Sequence, residues 1–169
     1  MKKFKLTSEF IVDISGVKLF RIKALIEFGN VKAGDLGGYI EKEENLSHMG
    51  DAWVSDDARV SGNAQVFGNA RVFGNAWVSG NARVSGDTQV FGDARVSGDK
   101  DYAYAHGFGS CNRTTTFFRL KDGDVGVRCG CFYGTLAQFR DKVCETHGET
   151  KKAQEYLMLA DLMEIRFKN

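Results

Sequence analysis

Between Gly50 and Ala103 the apolar positions recur every sixth residue. Val occupies positions 54, 60, 66, 72, 78, 84, 90 and 96, and Ala or Thr stands two residues before each. Residues two apart in a strand share a face, so each Ala-x-Val turns a small and a branched side chain to the same side. A Ser or Phe follows, and then a Gly-Asn or Gly-Asp pair, which tolerates positive φ and turns the chain. Six residues are too few for any helical repeat. The pattern predicts a short strand plus a corner, repeated.

The flanks read differently. "EFIVDI" and "VKLFRIKALIEF" alternate apolar and polar residues around Ser15-Gly16 and predict strands. Gly37-Gly38 reads as a tight turn into the first coil. Towards the C-terminus, "TTTFFRLKDGDVGVRCGCF" predicts a hairpin around Lys121-Asp122-Gly123-Asp124. "TLAQFRDKVCETHG" predicts a helix with a capping box from Thr135 to Gln138 and a stop at Gly148. "ETKKAQEYLMLADLMEIRF" predicts a second, amphipathic helix with Tyr156, Leu157, Ala160 and Met163 in its apolar set.

The hexads resemble the hexapeptide-repeat family of left-handed parallel β-helices, in which an aliphatic residue is followed four positions on by a small one, as Val54 to Ala58 and Val60 to Ala64 are here. The chain departs from that family in carrying Ser or Phe directly after the aliphatic residue. The resemblance implies three hexads per coil, so that residues 18 apart stack about 4.8 Å from each other. The expected fold is therefore mainly β: a left-handed parallel β-helix of about three coils over residues 50–103. A β-rich cap over 1–49 precedes it and a ββαα module over 104–169 follows. Such a coil leaves unpaired backbone at both ends, which the two flanks are expected to cover.

An 18-residue register stacks Asp51–Asn69–Asp87 and Asp57–Asn75–Asp93, placing an amide between two carboxylates each time. Stacked carboxylates would repel, whereas an intervening amide separates them and hydrogen-bonds along the ladder. The outward columns become Arg59–Trp77–Arg95 and Trp53–Arg71–Gln89, both suited to Arg–indole stacking. Trp and Arg are the residue types of interface hot spots, so Trp53, Arg59, Arg71, Trp77 and Arg95 are the candidate partner-binding residues. Phe67, Phe73 and Phe91 occupy the corner position as an apolar edge. Its simplest cover is the chain's own C-terminal segment; a second subunit or a foreign partner are the alternatives.

Charge narrows the partners. The 169 residues carry 23 basic and 22 acidic side chains, and the three segments carry net +1, −2 and +2. None is basic enough to predict nucleic-acid binding. No apolar run is long enough for a membrane span, and Asp13 and Lys18 interrupt the start before a signal peptide can form. Cys111, Cys129, Cys131 and Cys144 are read as reduced thiols in a cytoplasm.

Chemistry is sparse. The resemblance raises acyl transfer, which in that family uses a histidine base in a cleft between subunits, but the hexads hold no His and no loop insertion. His48 and His106 flank the repeat, His147 ends a helix, and each reads as structural or surface. Cys129 and Cys131 with Cys144 and His147 make a C-x-C…C-x-x-H spacing compatible with zinc. Alternation along the strand instead reads Cys129 and Cys131 as small core residues, and no metal or cofactor is expected. "FGNVKAGDLGGYIEKEENLSHMGDAWV", with the hexads behind it, resembles the entry segment of hexapeptide-repeat bacterial proteins assigned as transferases on fold alone. "VRCGCFYGTLAQFRDKV" and "THGETKKAQEYL" resemble the C-terminal region of phage and prophage proteins with the same repeat. The expected function is thus a non-enzymatic protein binder, a phage accessory factor that inhibits a host defence protein in the host cytoplasm. A homo-oligomer is expected. An acyltransferase is the alternative, and a self-assembling structural phage protein the second alternative.

Overall fold

A computed structural model describes residues 1–110 and 112–168. Cys111 lies outside the described residues. The chain opens with an antiparallel hairpin, β1 (Phe4–Val12) and β2 (Lys18–Ala24), followed by β3 (Leu36–Ile40) antiparallel to β2. Eight two-residue strands follow, one per hexad: β4 (Trp53–Val54), β5 (Arg59–Val60), β6 (Gln65–Val66), β7 (Arg71–Val72), β8 (Trp77–Val78), β9 (Arg83–Val84), β10 (Gln89–Val90) and β11 (Arg95–Val96).

These strands stack in parallel on three faces of a β-solenoid of about three turns. The first face is β3-β5-β8-β11, the second β4-β7-β10, and the third β6-β9, with Leu46 bridged to Val66 above it. The 18-residue register holds throughout the hexads, as in Trp53↔Arg71 and Arg59↔Trp77. Every hexad Val and Ala is buried, forming one column of small and branched side chains inside the coil. Down the outside, Asn69 Nδ2 donates to Asp87 Oδ1 at 2.8 Å, the amide-between-carboxylates bond expected from the stacking.

The coil begins earlier than its hexads. Tyr39 pairs with Arg59, Ile40 with Val60 and Leu46 with Val66, all 20 residues apart, so the first turn holds two extra residues between Leu46 and Val54. Gly37-Gly38 is not the expected turn. Both glycines lie inside β3, where a Cβ on Gly37 would stand 2.5 Å from Ile22 Cγ1 and 2.6 Å from the Val54 carbonyl. They permit close backbone approach rather than a change of direction.

After the solenoid, β12 (Tyr102–Ala105), β13 (Thr115–Arg119), β14 (Val125–Cys129) and β15 (Phe132–Thr135) form a four-stranded antiparallel sheet. Two helices follow, α1 (Leu136–His147) and α2 (Lys151–Phe167). The module has two more strands than the ββαα expectation, because the short β12 and β15 runs carry no clear alternation. The predicted capping box is present: Thr135 Oγ1 accepts from Gln138 N–H, Gln138 Oε1 accepts from Thr135 N–H, and Gly148 ends the helix. Cys131 is not on the core face. Cys129 pairs with Phe132, so Gly130-Cys131 is the hairpin turn and Cys131 is exposed, as is Cys144, while Cys129 is half-buried.

Candidate interaction face

The outward residue of each strand on the first face lines up across the sheet. The pairings Arg21↔Tyr39, Tyr39↔Arg59, Arg59↔Trp77 and Trp77↔Arg95 make one ladder in which guanidinium and aromatic groups alternate strictly. Arg95 Cζ lies 5.9 Å from the Trp77 ring centre and Arg21 Cζ lies 5.0 Å from that of Tyr39, within cation–π range.

Arg59 is placed by its strand register alone, and the other members are held by their neighbours. Arg21 Nη1 donates to the Tyr39 hydroxyl at 2.8 Å, and that hydroxyl donates to Glu9 Oε1 at 3.2 Å. Tyr39 is nearly buried, so it anchors the ladder. The indole Nε1 of Trp77 donates to Ser61 Oγ at 3.3 Å, fixing the ring's tilt. Arg95 Nη1 donates to the carbonyls of Asn75 and Ala94. Arg59, Trp77 and Arg95 are half-buried and line a shallow cleft of about 240 Å³, walled by the Asp57–Asn75–Asp93 column.

The second predicted column has a different fate. Trp53 is only 5% exposed, packed edge-on against Phe28 and Phe4 beneath the N-terminal hairpin and its following loop. It is a core residue and offers no outward contact. Arg71 stacks below it, with Nη2 tucked beside Gly29, and Gln89 accepts from Arg128 Nε of the C-terminal sheet. Both ends of the chain fold over this face.

At the corner, Phe73 stacks on Phe91 at 4.6 Å and Tyr133 meets Phe91 edge-on at 4.8 Å. The chain's own C-terminal sheet therefore reaches this edge. Phe67 stands apart, with Arg83 Cζ 5.4 Å from its ring centre.

His48 lies in the two-residue insertion, its ring stacked on Phe4 at 4.3 Å. Its Nδ1 accepts the Lys3 backbone N–H at 3.1 Å, and its Nε2 faces Glu43 Oε2 at 3.7 Å. A hydrogen bond from Lys2 holds the Glu43 carboxyl below its usual range. His106 Nδ1 meets Thr114 Oγ1 at 2.9 Å, and His147 packs on Tyr156. Among the described residues no three His, Cys, Asp or Glu side chains converge on a position that could hold a metal ion.

Sequence reasoning missed Arg21 and Tyr39. Tyr39-Ile40 has the outward-inward form of each hexad strand, but the two extra residues around His48 break its period. Arg21 joins from an antiparallel strand that no repeat foretells.

The fold and the ladder define a β-solenoid repeat protein, a parallel β-helix capped at both ends. The family model described as YdcK β-solenoid repeat matches residues 64–80 and 76–90, within the coils that carry Phe67, Trp77 and Arg83. No curated protein matches the chain. No helix among the described residues is long and apolar enough to cross a membrane.

Proposed function

We propose that this chain is a non-enzymatic protein-binding solenoid that presents the Arg59–Trp77–Arg95 ladder, with Arg21 at its rim, to a protein partner. The alternation of guanidinium and aromatic groups across hydrogen-bonded strands carries the reading. Trp and Arg supply large contact areas, and the backbone ladder holds them in place, which lowers the ordering cost of association. Asp57 and Asp93 beside the ladder disfavour a phosphate backbone and support a protein partner over a nucleic acid. The likeness of the C-terminal segment to phage proteins supports the finer reading, an accessory factor that inhibits a host defence protein.

The acyltransferase alternative has one observation in its favour: His48 lines a cleft of about 570 Å³. However, Nδ1 accepts a backbone N–H, so the neutral ring carries its proton on Nε2 and has no free lone pair for a general base. Self-assembly through the phenylalanine edge is weakened by Tyr133, which packs against Phe91.

The test is a pull-down from bacterial lysate with wild type beside Trp77→Ala/Arg95→Ala, followed by reconstitution from purified components. The expected outcome is a stoichiometric partner lost by the double variant, while the thermal midpoint moves by no more than a few degrees. A thermal midpoint raised by coenzyme A, and no longer raised in His48→Gln, would overturn the reading in favour of the enzyme.

A further inference from the structure

The third face of the solenoid is the floor of a groove that the ladder reading does not use. One cleft of about 570 Å³ lies at its N-terminal end, between the turn Glu43–Asn45 and strands β6 and β9. A second, of about 600 Å³, lies at its C-terminal end, between the same strands and helix α2. Phe67 and Arg83 line both, so the two clefts adjoin at this stacked pair.

The groove is polarised. Two guanidiniums without an ion-paired carboxylate among the described residues stand in it, Arg83 where the two clefts meet and Arg166 at the C-terminal end. Arg83 lies over Phe67, and its side chain makes no hydrogen bond to the described residues. Arg166 is clipped through Nη2 to the carbonyls of Asp99 and Tyr102. The Asp99 carboxylate also lines this end and accepts the Arg83 backbone N–H at Oδ1; its charge offsets one guanidinium, leaving the lining with one net positive charge. Beside these charges stand the exposed Tyr104 and Leu162, an apolar wall of the same cleft that Phe67 lines. At the N-terminal end Glu43 is tied to Lys2, whereas Glu44 has no ion partner among the described residues. Leu46 and the two strands β6 and β9 stack over roughly 10–15 Å, the length of three to five residues of extended chain.

The geometry points to a second binding site, for an extended peptide segment of a partner protein. The segment carries a large apolar side chain for the Phe67–Tyr104–Leu162 pocket, a carboxylate next to it for Arg83 and Arg166, and a neutral or basic residue towards Glu44. Charge complementarity selects this occupant: a cleft lined by two guanidiniums and one carboxylate beside an apolar wall suits an acidic, apolar-anchored motif. The site lies on a different face from the Arg59–Trp77–Arg95 ladder, so one molecule can engage two protein surfaces.

Two synthetic probes test it, Ac-Lys-Ser-Leu-Phe-Glu-Asp-NH2 and its counterpart with both acidic residues replaced by Lys, titrated into ¹⁵N-labelled full-length protein. The acidic probe is expected to shift Phe67, Arg83, Tyr104 and Leu162 saturably, and to bind at least about tenfold tighter than the basic probe. Arg83→Glu is expected to weaken the acidic probe about tenfold, while Trp77→Ala leaves it unchanged. Equal binding of both probes, shifts confined to the ladder face, or no shift at all would each overturn the proposal. So would a concentration-dependent dimer abolished by Leu162→Glu, which would give the groove to a second copy of this chain. Loss of the ladder partner with the groove still working would leave this proposal standing alone.

Discussion

Lys3 shows how a single side chain closes the coil. Ala52 N–H donates to Gly68 O and Trp53 N–H to Ala70 O of the rung below, so the equivalent carbonyls one rung up, Gly50 O and Ala52 O, have no rung above them to supply a donor. Lys3 supplies one. It is 1% exposed, lies 4.6 Å from the Phe28 ring centre, and its Nζ donates to Gly50 O at 3.2 Å and Ala52 O at 2.7 Å. Burial pushes its pKa down from 10.5 to about 8, with Asp51 opposing. Between about pH 8 and 10.5 the unfolded chain therefore binds more protons at this residue than the folded one. The Lys3 contribution to stability rises with pH across that window and is lowest below it, where burying the charge costs on the order of 3 kcal/mol. NMR of the Nζ groups is expected to show Lys3 titrating near 8, apart from the other lysines. The stability of wild type relative to Lys3→Gln should increase from pH 8 to 10.5; a flat difference would refute the assignment.

At the scale of elements, the solenoid is polar, and its two caps carry opposite chemistry. The N-terminal end needs donors: besides Lys3, Asn45 Nδ2 donates to Gly62 O and Ala64 O. The C-terminal end takes mostly acceptors, although Lys121 N–H donates to Asp93 O there and the Tyr102 hydroxyl to Ser85 O. Asp99 Oδ1 takes Arg83 N–H, the Tyr102 hydroxyl takes Ser85 N–H, Thr116 Oγ1 takes Gln89 N–H and Asp101 Oδ2 takes Ser97 N–H. The corners carry the other constraint. Gly80 has φ +61, and a Cβ there would stand 2.2 Å from the Ser97 carbonyl of the next rung. Gly98 is extended, with nothing near its would-be Cβ. Chemical denaturation should show Gly80→Ala destabilised by about 2 kcal/mol or more, and Gly98→Ala within about 0.5 kcal/mol of wild type. Equal effects would mean that the rungs are not in this register.

At the scale of the whole molecule, one strand joins two cores. Phe118 on β13 is buried in the solenoid core, whereas its neighbour Phe117 belongs to the core shared with α1 and α2. Period-two alternation sends the two rings to opposite faces of the sheet, so β13 is at once the floor of the coil and a wall of the helical module. Phe117→Ala and Phe118→Ala are each expected to cost about 3–5 kcal/mol. Hydrogen exchange should separate them. Phe118→Ala should raise exchange in β8 to β11 first, and Phe117→Ala in the two helices first. The same pattern from both variants would show that the chain has a single cooperative core.

The hexad period was enough to read the strand-and-corner repeat and its buried Val and Ala columns, and the family resemblance added the 18-residue register that stacks an amide between carboxylates. All of these are set by local turn geometry and nearest-rung contacts. The α1 capping box was equally legible, since its partners lie three residues apart. Which outward columns stay open was not. Trp53 and Trp77 occupy the same position in their hexads, yet Trp53 is covered by Phe4 and Phe28 while Trp77 faces the open cleft. The repeat is blind to that difference, because the covering residues come from a hairpin outside it. Arg21 and Tyr39 joined the ladder, and Arg166 joined the groove, through contacts that no six-residue period encodes. Local sequence determines how this chain coils; long-range packing of its unrepeated ends decides which of its surfaces can touch anything else.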